Sequence, residues 1–404
     1  MKKNKLKFLL KSKKIGKVFF KNKIISSPIS INMAKDGLVT KNIIDFFSNL
    51  AKSGVGMVTV GATAISKQGN DTLKGMMSGK KIYFNGLKLL SNSIKKNGSV
   101  SSIQLYHVGS QGNPIHSNHE TVGPSEYHFK KIGVRSRALK IEEIIRIEKE
   151  FSDAIIQCYK SNFDFIELHL AHGYLLHEFL SGYFNKRRDN YGITFKNRFK
   201  IIKNILEQVY QLEPRLKGRI GFRLSANDYV KTGFNLRTVK QLVKNLDKFN
   251  PAYYVITAGL YETAKNKYQD MKLGKYWKYA KEIKKITKTN IIAQGGLTNL
   301  YLAEDLIKNN CADFVGFAQS LIADPNLIKK TIRGEEEKII PCIAHLKVGS
   351  CHRCRYLKQK DNTFSCITPT SWKPSADIVS KKNIKKDLLI WEKINKEVYG
   401  KYKK

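Results

Sequence analysis

The sequence predicts an α/β protein with a closed parallel (β/α)8 barrel and a cysteine-containing C-terminal extension. Over 404 residues, short β-branched apolar runs alternate with longer segments whose apolar residues recur three and four positions apart. The alternation repeats about eight times, the number of βα units that closes such a barrel. An apolar content of 42% is enough for a core of that size.

Eight runs are predicted to be the strands, in the order KNKIISS, GMVTVGATA, SVSSIQLYH, FDFIELHLA, RIGFRLSA, AYYVITAG, NIIAQGG and ADFVGFAQ. Eight amphipathic segments are predicted to be the helices, and several end at the Gly or Asn that suits a helix C-cap. They are TKNIIDFFSNLAKSG, NGLKLLSNSIKKNG, IEEIIRIEKEFSDAIIQCYKSN, KNRFKIIKNILEQVYQ, NLRTVKQLVKNLDKFN, WKYAKEIKKITK, NLYLAEDLIKNN and DPNLIKKTIRG. We expect the barrel in residues 1–334, with 1–20 as an N-terminal cap segment, and the extension in 335–404.

The net charge of +40 is spread along the chain and accompanies abundant Asn, Ile, Tyr and Phe. This pattern is typical of compositional drift in an AT-rich genome, and no basic stripe stands apart, so we expect no specific nucleic-acid partner. The apolar patch LKFLL is flanked by Lys and has no cleavage site after it, which argues against a signal peptide or membrane span. We expect a cytoplasmic protein with no membrane partner. The sequence does not decide between a monomer and a homo-oligomer.

Polar residues close most of the predicted strands; they are Ser30, Gln104, His107, His169, His172, Arg223, Thr257, Gln294 and Gln319. The carboxyl ends of barrel strands meet at one mouth, where the chemistry of such barrels takes place. The run FDFIELHLA leads directly into His169, His172 and Tyr174. Two imidazoles and a phenol at one strand end can hydrogen-bond a developing oxyanion and deliver a proton.

The string HLAHGYLLHEFLSGYFNKRRDNYG, residues 169–192, resembles the signature of the Old Yellow Enzyme family of FMN-dependent oxidoreductases. That signature is H-x-A-H-G-Y-L, then F-L-S, then N-x-R-x-D-x-Y-G. The resemblance continues in family order from about Gly16 to about Gly334. It implies a TIM-type barrel that holds FMN at its mouth, takes hydride from NAD(P)H and reduces the activated alkene of a small molecule. His169 and His172 would bind the substrate carbonyl oxygen, and Tyr174, with an ordinary phenol pKa of about 10, would protonate the α-carbon.

The resemblance also assigns flavin contacts, which fall on Ser27, Pro28, Ile29, Ser30, Ala62, Gln104, Arg223, Gly295, Gly296, Ala318 and Gln319. Ser30 keeps a hydroxyl donor for the ring, and Gln104 matches the residue at the pyrimidine end. Arg223 matches the cation beside the N1–C2=O locus, where negative charge gathers on reduction. The last four positions match the phosphate site after strands seven and eight.

The chain departs from the family pattern at several positions. Gln319 replaces an Arg of the phosphate site, which predicts weaker retention of FMN. Ser110 replaces an Arg, Gly182 a Pro and Ile193 a Gly. Asn32 stands where some members place a substrate-facing Tyr, so we expect a more polar substrate pocket there. These differences concern the substrate and the loops more than the reaction.

Four of the six cysteines follow the barrel: Cys342, Cys351, Cys354 and Cys366. Such clustering in a cytosolic protein favours metal binding over disulfides. Cluster-bearing relatives use C-x2-C-x3-C and a fourth Cys after eleven residues, and only the spacing from Cys354 to Cys366 fits. His345 and His352 also leave a zinc knuckle open. We favour a reduced segment without metal, with an iron–sulfur cluster or zinc as alternatives.

Three other functions remain open. An iron–sulfur cluster would favour a dienoyl-thioester reductase or a flavin N-demethylase. An RNA-directed FMN reductase would suit the basic surface, but dihydrouridine synthases rely on a cysteine acid rather than on paired His and Tyr. A binding protein on a decayed barrel would fit the uncharged Gln319. The sequence identifies neither the substrate nor the preference for NADH or NADPH.

Overall fold

The predicted barrel is present in the computed structural model, which describes residues 5–130, 133–263, 274–340 and 342. Its eight parallel strands are β1 (Ile24–Ser26), β2 (Met57–Ala64), β3 (Val100–Tyr106), β4 (Phe165–Leu170), β5 (Ile220–Ser225), β6 (Tyr253–Thr257), β7 (Asn290–Gln294) and β8 (Phe314–Phe317). Each strand pairs with its neighbours in sequence, and β8 pairs with β1, so the ring closes. All eight predicted strands are therefore confirmed.

The strands are continuous apolar runs because they are covered on both sides, by the barrel core inside and by helices outside. Every residue of β4 and of β5 is buried. Their parallel register places Ile166 beside Ile220 and Leu168 beside Phe222. Core packing accounts for the apolar residues of these strands, whereas their buried polar residues require another explanation.

The predicted helices are also confirmed, as α1 (Lys41–Lys52), α2 (Phe84–Lys96), α3 (Ile141–Lys160), α4 (Lys200–Leu212), α5 (Leu236–Leu246), α6 (Lys275–Lys284), α7 (Leu300–Lys308) and α8 (Leu327–Arg333). Capping side chains fix where several begin: Thr40, Asn235 and Asn299 each accept a backbone N–H from the first turn. Such a cap is worth about 1 kcal/mol. The last helix ends at Gly334, whose φ of +79° suits a glycine C-cap.

A short hairpin, Lys13–Ile15 with Val18–Phe20, covers the N-terminal end of the barrel. The fully buried Phe20 ring lies 4.8 Å from the ring of Phe314 and 5.9 Å from that of Phe165. Removing such a buried ring costs about 3–5 kcal/mol. This end of the barrel is closed by apolar packing, which leaves the carboxyl ends of the strands as the place for a site.

The loops after the strands carry additional short elements. Three short strands, Val122–Gly123, Tyr127–Phe129 and Val134–Ala138, pair with one another in the connection between β3 and α3. A helix, Leu175–Leu180, follows β4, and another, Gln319–Ala323, follows β8. Within the described ranges, no helix is both long and apolar enough to cross a bilayer.

The domain boundary at residue 334 stays a prediction, because most of the extension lies outside the described residues. Cys342 is described and is buried in the main apolar core. Cys351, Cys354 and Cys366, with His345 and His352, lie outside the described residues, so the predictions about them are not tested.

Candidate active site

The two imidazoles and the phenol predicted from the sequence lie together. His169 is the next-to-last residue of β4 and is 4% exposed. Its ring centroid lies 5.1 Å from that of His172 and 4.6 Å from that of Tyr174. The expected proximity of the three side chains is therefore observed, while their catalytic roles remain a prediction.

A tight turn carries His172 and Tyr174 away from β4. Both His172 (φ +62°) and Gly173 (φ +78°) are left-handed, a conformation that is uncommon for His. The Nε2 atom of His172 lies 3.0 Å from Thr257 Oγ1, and its backbone N–H donates to Ser225 Oγ over 3.4 Å. Side chains from β5 and β6 thus hold the turn in place.

Tyr174 precedes the helix Leu175–Leu180 and is 7% exposed. Its hydroxyl lies 2.9 Å from that of Tyr261, and its ring contacts Tyr106 edge to face. Burial raises the pKa of Tyr174 well above its ordinary value, and the nearby Tyr261 and Asp71 add to the shift. The expectation of an ordinary phenol pKa is therefore wrong, since it did not account for burial. The phenol keeps its proton throughout the neutral range and remains a proton donor.

A buried carboxylate that the sequence analysis did not single out connects two of the predicted flavin contacts. Glu167, on β4, is 1% exposed. Its Oε1 accepts from Gln104 Nε2 over 2.6 Å and from Arg223 Nε over 2.9 Å. The strand register brings these three side chains together. Glu167 stands opposite Gln104 of β3. Arg223 of β5 stands opposite His169, the next polar residue after Glu167 on β4. The signal in the sequence was one acidic residue inside an apolar run.

The segment after β1 packs closely onto its neighbours. Ser27 Oγ donates to Gln294 Oε1 over 3.1 Å, and the Ala62 N–H donates to Ser30 Oγ over 3.0 Å. A side chain at Gly61 would place its Cβ 2.4 Å from Pro28 Cβ. The lack of a side chain there lets the segment with Pro28 and Ile29 lie directly against β2.

The predicted phosphate contacts come from the loops after β7 and β8. Gly295 and Gly296 have φ of +88° and +68° and are partly exposed. Ala318 and Gln319, also partly exposed, lie at the start of the helix after β8. Ser320 Oγ in that helix donates to the Leu297 carbonyl over 2.8 Å. The two loops are therefore joined at one side of the mouth.

Two other polar residues at the mouth behave differently from each other. His107 is 1% exposed, its Nδ1 accepts from the Gly109 N–H over 3.1 Å, and burial lowers its pKa to about 3. Its imidazole is therefore neutral in the neutral pH range. Asn32 is partly exposed and left-handed, with a φ of +52°. Its contact with a substrate stays a prediction.

The mouth offers the donors that a flavin ring requires. Arg223 is 6% exposed, and its two Nη groups make no hydrogen bond to a described residue. Guanidinium donors of a largely buried Arg that bond no described residue are available to a ligand, an ion or water. These donors, together with the close packing of residues 27–30 on β2 that Gly61 permits, fit a planar ring rich in carbonyls and N–H groups.

No metal site is evident in the part of the chain that the structure describes. There, no three His, Cys, Asp or Glu side chains come close enough to hold an ion. Because three of the four clustered cysteines lie outside those residues, the iron–sulfur question stays open.

Comparison with known proteins places this chain in a family. Residues 9–338 match the sequence model described as the NADH:flavin oxidoreductase / NADH oxidase family. An NADH oxidase of Thermoanaerobacter brockii is 32% identical over 340 residues, which are 82% of this chain and 52% of that protein. An NADPH dehydrogenase of Bacillus cytotoxicus is 30% identical over 313 residues, 77% of this chain and 88% of that protein. The chain spans about half the length of the NADH oxidase and of a 28% identical metal reductase from Desulforamulus reducens.

Solved structures show the same fold. A complex of 2-naphthoyl-CoA reductase with 2-naphthoyl-CoA has a TM-score of 0.78 at 24% identity, covering 84% of this chain and 54% of that one. An old yellow enzyme homologue from Zymomonas mobilis has a TM-score of 0.70 at 21% identity, covering 81% of this chain and 92% of that one. At these identities the likeness establishes the barrel and not the substrate.

Proposed function

Because the chain belongs to the NADH:flavin oxidoreductase / NADH oxidase family, we propose that it uses FMN to pass hydride from NAD(P)H to the activated alkene of a small molecule. The meeting of His169, His172 and Tyr174 at the barrel mouth carries this proposal. In this proposal His169 and His172 would donate hydrogen bonds to a substrate, and Arg223 and Gln104 would contact the cofactor.

FMN, when bound, supplies hydride acceptance from a nicotinamide and hydride donation to a carbon acceptor. Gln104 and Arg223 would hold its pyrimidine end, and residues 27–30, with the backbone of Ala62, would lie against the ring. Gly295, Gly296, Ala318 and Gln319 would hold its phosphate through backbone amides and one side-chain amide. Arg223 would place positive charge where electrons accumulate.

The imidazoles can bind a carbonyl oxygen. The Ala171 N–H donates to His169 Nδ1 over 3.3 Å, so the proton of the neutral ring is on Nε2, the nitrogen able to donate. Thr257 Oγ1 orients the ring of His172 through Nε2, and when this hydroxyl donates to Nε2 the proton of the neutral ring is on Nδ1, which can then donate to the substrate. Two such donors polarise the carbonyl of an enone and stabilise the negative charge that develops on its oxygen.

Tyr174 would deliver the proton that completes the reduction. Its hydroxyl is protonated at neutral pH because burial raises its pKa. Its ring lies 4.6 Å from that of His169, and we propose that the phenol and the carbonyl-binding imidazoles act on the same substrate. A positioned proton donor of this kind contributes about 10²–10⁴-fold in rate.

Anaerobic half-reactions test the proposal. The flavin should be bleached by NADH or NADPH and then regain its absorbance when a small enone is added without oxygen. Reduction by the nicotinamide with no reoxidation by any enone would contradict the alkene acceptor. The iron and sulfide content of the purified full chain distinguishes the dienoyl-thioester reductase or N-demethylase alternative, which requires a cluster.

We further propose that the protein is cytoplasmic. We also propose that it has no specific nucleic-acid partner, because its positive charge is spread over the whole sequence. Any tRNA binding should then fade as salt approaches physiological strength, since only counterion release would drive it. Structure-selective binding of tRNA at about 0.15 M salt, coupled to flavin reoxidation, would favour the RNA-directed alternative.

A further inference from the structure

We infer that the buried pair formed by His177 and Asp228 positions the turn that carries His172 and Tyr174. His177 belongs to the helix after β4, and Asp228 to the loop after β5. Both side chains are fully buried, with His177 Nε2 3.3 Å from Asp228 Oδ1. Neither residue was assigned a role from the sequence. The inference rests on the proposed function only where it concerns the reaction.

His177 holds the middle of the turn through one hydrogen bond. The Gly173 N–H donates to His177 Nδ1 over 3.0 Å. A ring nitrogen that accepts carries no proton, so the proton of the neutral ring is on Nε2, which faces Asp228. The carboxylate oxygen 3.3 Å from Nε2 favours this tautomer electrostatically, and it is the tautomer that can accept from Gly173.

A second route connects Asp228 to the turn through its own backbone. The Asp228 carbonyl accepts from Thr263 Oγ1 over 3.0 Å, and the same hydroxyl oxygen accepts from the Leu260 N–H over 2.9 Å. Leu260 pairs with His172 in an isolated parallel bridge. Asp228 thus acts on Gly173 through His177 and on His172 through Thr263 and Leu260.

The pair itself is held rigidly. Asp228 Oδ2 accepts from the Phe234 N–H over 2.7 Å, and the His177 ring packs 4.8 Å from the Phe234 ring. On the opposite side of the turn, Gln111 Nε2 donates to the carbonyls of His172 and Gly173. His177 therefore binds the Gly173 N–H of the turn, and Gln111 binds the carbonyls of His172 and Gly173. Because the site is buried, water cannot easily replace a lost acceptor for Gly173.

Two substitutions of His177 separate its hydrogen bond with Gly173 from its contact with Asp228. In His177→Asn the side-chain oxygen can take the place of Nδ1 and still accept from Gly173. In His177→Gln the amide reaches instead towards the position of Nε2 and Asp228, and Gly173 loses its acceptor. The two variants remove a similar amount of ring packing, so their difference isolates the bond to Gly173.

Hydrogen exchange of the Gly173 amide, measured on the FMN-free full chain, is the primary readout. His177→Gln should speed this exchange roughly 5- to 100-fold relative to His177→Asn, the range expected when a buried donor loses its partner. Asp228→Asn disturbs the tautomer of His177 without changing the size of the side chain at 228, and it should speed exchange at Gly173 as well. This variant tests the inference if the His177 variants do not fold. Glu148→Gln is the control. Glu148 is a buried residue on α3 whose carboxylate accepts from Tyr191 and Asn204, and its substitution should leave the exchange rate of the Gly173 amide unchanged.

The half-reactions provide the second readout. In the holoenzyme, His177→Gln should slow reoxidation by an enone at least tenfold while leaving reduction by NAD(P)H within about twofold, because only the substrate-facing turn is displaced. Equal exchange at Gly173 in the Asn and Gln variants would overturn the inference, as would equal slowing of both half-reactions. Failure of the wild type to bind FMN would contradict the proposed function. The exchange experiment would still decide whether His177 and Asp228 position the turn.

Discussion

Arg223 Nε donates to Glu167 Oε1 over 2.9 Å, and both side chains are buried. The amide of Gln104 donates to the same oxygen. One carboxylate therefore orients two donors that are expected to face a flavin, and it offsets part of the charge of Arg223. Buried ion pairs cost desolvation energy, and this one is better explained by orientation than by stability.

Replacing Glu167 by Gln should raise the midpoint potential of the bound flavin. The variant keeps the shape of the side chain but no longer offsets the charge of Arg223 near the reduced ring. Each 1.4 kcal/mol of extra stabilisation of the two-electron-reduced form corresponds to about 30 mV. Arg223→Ala should do the reverse, lowering the potential and weakening FMN binding. Spectroelectrochemical titration measures both, and shifts of the same sign would show that Arg223 does not face the ring.

Tyr174→Phe should slow reoxidation of the reduced flavin by an enone about 10²–10⁴-fold, because the proton donor is lost. Reduction by NAD(P)H should change little. Tyr261→Phe is the matched control, since it removes the partner hydroxyl 2.9 Å away and keeps the donor, so its effect should be much smaller. Rapid mixing under anaerobic conditions measures both steps, and equal damage to the two half-reactions would make Tyr174 structural.

Glu178→Gln should stabilise the protein at neutral and higher pH. Burial raises the pKa of Glu178 well above its ordinary value, and its Oε1 accepts from the Ser110 N–H over 2.9 Å, a bond that Gln can keep. Because the folded protein holds this proton more tightly than the unfolded chain, the free energy of unfolding falls as pH rises from about 4.3, the unfolded pKa. The fall continues until the raised pKa of the folded state is passed.

Urea unfolding of wild type and Glu178→Gln between pH 5 and pH 9 measures this effect, with all other groups titrating alike in both proteins. The variant should be more stable by roughly 1–3 kcal/mol at the upper end of the range and should lack the decline that Glu178 causes. A constant difference across the range would show that Glu178 does not carry the raised pKa.

Gly61→Ala should lower the affinity for FMN at least tenfold. The new Cβ would lie 2.4 Å from Pro28 Cβ, which forces the segment after β1 off β2 and breaks the bond from Ala62 to Ser30. Gly86→Ala in α2 is the control, because its Cβ would approach Val39 Cβ only to 3.1 Å and lies on an outer helix. Titration of FMN-free protein with FMN measures the difference, and an unchanged affinity would place the ring elsewhere.

The sequence predicted the repeating architecture well, because periodicity and strand-end polarity are local features. All eight strands, the helices between them and the family membership are confirmed. The bonds of Glu167 could not be predicted, because its partners come from other strands and meet it only through the register of the closed ring. The raised pKa of Tyr174 could not be predicted for a similar reason, since it depends on burial beside Tyr106 of β3 and Tyr261 of the loop after β6.

The flavin content of the purified full-length chain tests the central claim most directly. The protein should be yellow, heat denaturation should release FMN and not FAD, and flavin-free protein should bind one FMN per chain. Weaker retention caused by Gln319 would lower the occupancy on purification without lowering that stoichiometry on titration. A colourless protein that takes up no FMN at saturating concentration would contradict the account.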